Sequence, residues 1–218
     1  MIDFHTHIPK PGNSLNIINV SIYKPQDLFP LNSYTLGIHP WDSGCSDQEE
    51  KLIMLLGQVK KSEVVAIGEI GLDRLKGAEL NTQKILFIKQ IEIAEQVQKP
   101  VIVHCVRAWS ELLEVKKVKT SSRINWAIHG FRGNPELTHQ LIDHDFYLSF
   151  GVHIIDATPS LAEALTITPL NRLFFETDES PIPVEEVYSA ASDILNIPIE
   201  DLVRQTHKNL DTFLKKDG

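Results

Sequence analysis

The feature that most constrains this chain is a series of short apolar runs, each stopping at a side chain able to bind metal. MIDF leads into His5 and His7, VVAIG into Glu69, PVIV into His104, NWAI into His129 and RLFFET into Asp178. A parallel strand buried on both faces reads as a continuous apolar run, and in an α/β barrel the residues at strand C-terminal ends converge on a shared site. Runs that end this way, one after another, point to a single metal centre assembled from several strands.

Strand candidates lie at residues 1–5, 15–21, 33–38, 63–69, 100–105, 124–129, 145–150 and 172–178, short and rich in Ile, Val and Phe. Helical periodicity fills the gaps between them. Residues 47–61 open with a Ser46-x-x-Glu49 capping box, 79–98 repeat apolar residues at helical spacing, and 134–144 begin with Asn134-Pro135, a cap followed by proline. Shorter helices are expected over 108–118 and 159–168. Two more are expected within 184–216, the second starting at Pro198. The alternation of strand and helix predicts an α/β fold, a TIM-like (β/α)8 barrel. Only nine residues separate the first two strands, and Tyr23 to Asn32 carries two prolines and no helical pattern. The first one or two crossover helices are therefore expected to be reduced or missing. The flank they leave uncovered would be closed by its own loop or by a second copy of the chain, which gives a monomer or a homodimer.

A chain of 218 residues with 42% hydrophobic content is long enough to bury the core of one such barrel, so residues 1–218 are read as a single domain. Cys45 and Cys105 stand far apart with no CxxC spacing, which predicts two reduced thiols. The start MIDFHTH has no basic, apolar leader pattern, and no run approaches the roughly 18 apolar residues that a bilayer span needs. A cytoplasmic protein without membrane association is expected. The formal charge of −8 argues against broad, nonspecific nucleic-acid binding, which needs a basic surface. It leaves a phosphate substrate possible, because bound divalent ions would bring positive charge to the site itself.

In His5-Thr6-His7 the two imidazoles fall on the same side of an extended strand, where one metal can take both. Alone the motif is weak, and two incidental histidines are its alternative. Glu69, between glycines after an apolar strand, could bridge two cations with its two oxygens; the alternative is a salt bridge. His104 and His129 each end a hydrophobic strand, where a lone histidine is more often a core residue bonded to backbone. Their equivalent positions and the carboxylate on a third strand favour ligands. Asp178 ends the last strand among other acids, a crowding that a cation would relieve. Asp73 offers a site carboxylate or a turn aspartate. His39 and His153 are placed to face substrate, and Arg107 and Arg132, just beyond strands five and six, could pair with phosphate oxygens through two donors each. His139, His144 and His207 fall in helices and read as surface residues.

No glycine-rich phosphate cradle and no Gly-x-Ser-x-Gly elbow is present, which leaves water activated by metal as the chemistry. In order, the motifs HTH, GIHP, GEIGLD, PVIVHC, HGFRG and ETDESP resemble the TatD-type metal-dependent deoxyribonucleases. The match runs from His5 to about Leu214 and includes the closing Lys208-Asn209-Leu210-Asp211-Thr212-Phe213 segment. The resemblance implies a (β/α)-barrel hydrolase with one divalent ion on His5, His7, Glu69 and Asp178 and a second on Glu69, His104 and His129. Mg, Mn or Zn would suit such donors. It also implies cleavage of phosphodiester bonds in DNA or a smaller substrate, typically as an exonuclease; on the reading of the residues themselves, Asp178, as acceptor of the water's proton, and Glu69, as the bridging carboxylate, are the catalytic candidates. Two departures stand out: Val106 occupies a position where the family commonly has Arg, with Arg107 one residue later, and the N-terminal third is short.

Other readings on the same barrel are a metal-dependent hydrolase of an ester, amide or lactone, and a catalytically altered barrel acting as a binding module. A histidinol-phosphatase-like enzyme would normally end in Asp-x-His, which Asp178-Glu179-Ser180 lacks. The filled ligand positions argue against the binding module.

Overall fold

The structure, a computed structural model, describes residues 1–8, 12, 14–23, 32–119 and 124–215. In chain order the strands are β1 (Ile2–Thr6), β2 (Leu15–Ser21), β3 (Ser33–Gly37), β4 (Val64–Asp73), β5 (Val101–Val106), β6 (Trp126–Ile128), β7 (Phe146–Phe150) and β8 (Leu173–Phe175). The α-helices are α1 (Gln48–Gln58), α2 (Leu80–Val97), α3 (Trp109–Val118), α4 (Pro135–Asp143), α5 (Pro159–Ile167), α6 (Val184–Leu195) and α7 (Ile199–Phe213). Each of the expected strands and helices is present within a few residues of its expected place. No helix occurs among the described residues between β1 and β3; residues 24–31, where an irregular loop and an uncovered flank are expected, lie outside them.

Two boundaries differ for physical reasons. Helix α1 starts from Asp47, whose side chain makes no capping bond, so the Ser46–Glu49 box is not formed. The first bond of the helix is instead the backbone one from Lys51 N to Asp47 O. Strand β4 continues past Glu69 to Asp73, where the glycines read as a stop. Gly71 permits the continuation because it sits at φ +146, with its Cα so near β5 that a Cβ would lie 2.0 Å from the His104 carbonyl oxygen.

The chain divides into two compact units, Met1–Ile18 with Ala127–Lys215, and Asn19–Trp126. In the first, β1 runs parallel to the start of β2 with Ile2 opposite Leu15, and β7 runs parallel to β8 with Leu148 opposite Leu173. Its core is aromatic: Phe4 stacks on Phe174 at 3.9 Å, and Phe213 of α7 and Tyr147 close around the pair. Helix α7 also anchors β8, because Asn209 Nδ2 donates to the carbonyls of Leu170 and Leu173 at 2.7 and 2.8 Å. The α4 cap is formed as expected, with Asn134 Oδ1 accepting from Leu137 N at 2.9 Å.

In the second unit β4 lies between β3 and β5, all parallel, with Leu36 opposite Ile67 and Gly71 opposite His104. Helix α2 buries Gln83, Leu86, Phe87, Gln90, Ile91 and Ala94, the recurrence of a single apolar stripe. Its two glutamines are the exceptions that matter. Gln90 Oε1 accepts from Ile38 N at 2.7 Å and Nε2 donates to Ile38 O at 3.0 Å; Gln83 makes the same pair of bonds with Asp73 N and O at 2.7 and 2.8 Å. Buried amides of this kind persist only when satisfied, and these fix the backbone just before His39 and at Asp73.

Candidate metal centre

In the second unit Glu69, 5% exposed, is the hub. Its Oε1 lies 2.7 Å from His104 Nδ1 and 3.2 Å from His39 Nε2, and its Oε2 is 3.5 Å from Asn19 Nδ2. His39 Nδ1 accepts from Trp41 N at 3.2 Å, which leaves the proton of a neutral ring on Nε2, facing Glu69. His39 thus caps the 3-10 turn Pro40–Asp42 while presenting its other nitrogen to the carboxylate. His104 Nε2 is 3.3 Å from Asp73 Oδ2, and Trp41 Nε1 donates to the same oxygen at 2.6 Å. Asp73 Oδ1 accepts from the amides of Leu75 and Lys76 at 2.8 and 3.2 Å. Burial pushes the Asp73 pKa up, but the bonds from Trp41, Leu75 and His104 outweigh it and hold the carboxyl below its ordinary value. Asp73 is therefore both a turn aspartate and the group behind His104, an arrangement that fixes the tautomer and the ring plane of a ligand histidine.

In the first unit the parallel bridge between Thr6 and Asp178 sets the register of the end groups. Asp178 N donates to His5 O at 2.9 Å and His7 N donates to Asp178 O at 3.2 Å. Asp178 Oδ1 then stands 3.4 Å from His7 Nε2 and 3.9 Å from His5 Nε2. Asp178 adopts φ +54, a left-handed conformation that Asp tolerates better than most residues. It lies three residues beyond β8 rather than at the strand end. The His5 and His129 rings are 4.2 Å apart. Behind His129 stands Glu176, fully buried, whose Oε1 is 3.4 Å from His129 Nδ1 and accepts from Gly130 N at 2.6 Å. The pairing repeats the one between His104 and Asp73.

Arg132 and His153 border a cavity of about 200 Å³ that Asp178, Glu176 and Gly151 also line. Partial burial and the Arg132 charge lower the His153 pKa against the opposing pull of Asp178, which favours the neutral ring. Arg107 is exposed at φ +52 just past β5, and its carbonyl accepts from Arg74 Nε at 2.8 Å.

Within each unit, one set of donors among the described residues passes a simple test for a divalent ion. His5, His7 and Asp178, and separately His39, Glu69 and His104, each offer a ligand atom within 4.8 Å of the others. Imidazole nitrogen and carboxylate oxygen bind such ions at about 2.0–2.2 Å, which puts tetrahedral neighbours about 3.4 Å apart, the His7–Asp178 separation. Asn19, Trp41, Gln83 and Glu176 are functional neighbours that the pattern of apolar runs does not reveal. Only Glu176 carried a signal, an acid directly continuing the FF of β8.

Residues 6–215 match the family model described as TatD related DNase. The metal-dependent hydrolase YcfH of Escherichia coli K12, itself uncharacterized, is 29% identical over 191 residues, 81% of this chain and 71% of the relative. A Citrobacter koseri protein named 3'-5' ssDNA/RNA exonuclease TatD is 31% identical over 66% of this chain and 56% of its own length. Among solved structures, YJJV, a TatD homologue from Escherichia coli K12, aligns over 97% of this chain and 96% of its own with a TM-score of 0.80 at 23% identity, which shows the fold class to be the α/β-barrel one expected. By the match over nearly its whole length, the chain belongs to the TatD family of metal-dependent hydrolases.

Proposed function

We propose that this protein is a two-metal phosphodiesterase, an exonuclease-type DNase acting on DNA or a smaller phosphodiester. The observation that carries the reading is the His5–His7–Asp178 set, which sits beside a cavity bordered by an arginine and a neutral histidine. The ions would be held by His5, His7, Glu69 and Asp178 and by Glu69, His104 and His129, as the family resemblance implies. When bound, divalent ions lower the pKa of a coordinated water and offset charge on phosphate oxygens.

The remaining work falls to the chain. Asp178, 37% exposed, is the carboxylate placed to take the proton of the attacking water. Arg132 pairs with non-bridging phosphate oxygens, and neutral His153 donates a hydrogen bond beside it without adding charge. His39 and Asp73, which are expected to contact substrate, also steady Glu69 and His104. Arg107, displaced from the family position by Val106, is an exposed cation left to contact substrate in its own unit. We place the protein in the cytoplasm, as a monomer or homodimer, with Cys45 and Cys105 free; among the described residues no helix is long and apolar enough to cross a membrane.

Incubation of an end-labelled single strand of DNA with Mg, Mn or Zn tests the reading. Wild type is expected to shorten it only when metal is supplied. Intact DNA with all three ions, alongside metal-dependent hydrolysis of an aryl ester or lactone, would replace the nuclease reading with the carbonyl one.

A further inference from the structure

We propose that Trp41 is a stacking platform for a nucleobase of the substrate beside the Glu69 cluster, which makes an unpaired, base-bearing strand end the preferred substrate; this rests on the phosphodiesterase reading above. Trp41 is 48% exposed although it touches the candidate ligands, its ring centroid 4.6 Å from His39 and 6.0 Å from His104. An exposed tryptophan would ordinarily sample several rotamers. This one is pinned at two points, by Nε1 on Asp73 Oδ2 and by its backbone N on His39 Nδ1.

The lysine beside it is held as well. Lys76 Nζ stands 3.9 Å from the indole centroid, its backbone N bonded to Asp73 Oδ1 and its carbonyl to Gln83 Nε2 at 2.9 Å. An aromatic ring with an ammonium over one face offers a nucleotide a surface for its base and, once the lysine is displaced from the ring, a charge for its phosphate. Stacking of one base on an aromatic side chain is worth about 5- to 150-fold in affinity, against about 2- to 5-fold for an exposed ammonium over a ring, so a base outcompetes Lys76 for the indole. Because the indole is already held by its bond to Asp73, little of that gain is lost to immobilising the ring. An alkyl ester or lactone has no flat group to make this contact.

The test compares thymidylyl-thymidine with its two singly abasic analogues and with an aryl phosphodiester, under steady-state conditions with Mn supplied. For wild type, removing one of the two bases should raise KM about tenfold. In Trp41→Ala that penalty should shrink to less than about twofold, and Trp41→Phe, which keeps a ring but not the Asp73 bond, should restore most of it. Base removal without effect in wild type would overturn the platform. So would a Phe variant whose base penalty is no larger than that of Ala, which would make Trp41 only a prop for Asp73 and His104; a loss of kcat shared by all substrates in Trp41→Ala reports the lost Asp73 bond and is read separately from the base penalty. If wild type turns over the aryl phosphodiester while the platform fails, the phosphodiesterase reading stands alone; if it turns over no phosphodiester, both fall.

Discussion

The Glu69 cluster and the Asp178 cluster use the same chemistry, histidines around one carboxylate, yet they are built to opposite ends. Glu69 is 5% exposed and engaged by two imidazoles, and α2 clamps the chain at both neighbouring points through Gln83 and Gln90. Asp178 is 37% exposed, sits at φ +54 beyond its strand, and borders the cavity that Arg132 and His153 share. A carboxylate locked on both sides is suited to holding charge in place. One that reaches water is suited to exchanging a proton. On the proposed reading, the first cluster would hold a metal in place and the second would take part in turnover.

The sharpest way to break that division is Asp178→Asn. Asparagine accepts left-handed φ at least as well as aspartate and keeps one coordinating oxygen, so fold and much of the metal binding should survive. Lost proton acceptance should lower kcat about 10²–10⁴-fold. Metal content by elemental analysis together with kcat decides it: a variant that loses its metal as completely as its activity would show Asp178 to be a ligand first.

His104→Ala and His129→Ala compare the clusters through their histidines. Each should cost activity about 100-fold or more through lost metal. Their effects on the metal-free fold should differ. Without His104, Asp73 keeps donors from Trp41, Leu75 and Lys76. Without His129, the fully buried Glu176 loses a facing partner and retains the Gly130 amide. An under-satisfied buried carboxylate is costly, so His129→Ala should lower stability by about 1–3 kcal/mol more than His104→Ala in urea unfolding with chelator present. Equal losses would show that the two carboxylates behind the histidines do not differ in support.

What the sequence disclosed and what it hid follow the same line. Apolar runs mark strands because burial on both faces demands continuous hydrophobicity, so the eight strands and the alternation of helices were legible. The side chains that end those runs were legible too. Hidden were groups that act through another residue: Gln83 and Gln90 look like ordinary polar positions on an amphipathic helix until the strand ends they clasp are known, and Trp41 looks like a loop aromatic until its indole meets Asp73. The Ser46–Glu49 box shows the converse, a local signal that tertiary packing overrode. Asp73 lay between, since a turn aspartate and a histidine anchor carry the same letters.

Asp73 also yields the smallest expected effect, on stability against pH. Its pKa in the folded protein is below the ordinary value: burial would raise it, and the hydrogen bonds from Trp41, Leu75 and His104 more than reverse that. A carboxyl with a lower pKa folded than unfolded stabilises the fold above its unfolded pKa and ceases to do so as pH falls through the folded one. Asp73→Asn cannot lose a charge it lacks, so the two proteins should converge on acidification. With metal removed, wild type should melt about 2–10 °C above Asp73→Asn at pH 7, the cost of about 1–3 kcal/mol for disturbed buried hydrogen bonds, with the gap narrowing as pH drops below the unfolded carboxyl range near 4. A gap that stays constant down to the acid unfolding limit would mean that the charge of Asp73 contributes nothing. The Glu69 cluster would then be held by shape and by the α2 glutamines alone, and the contrast with Asp178 would reduce to one of exposure.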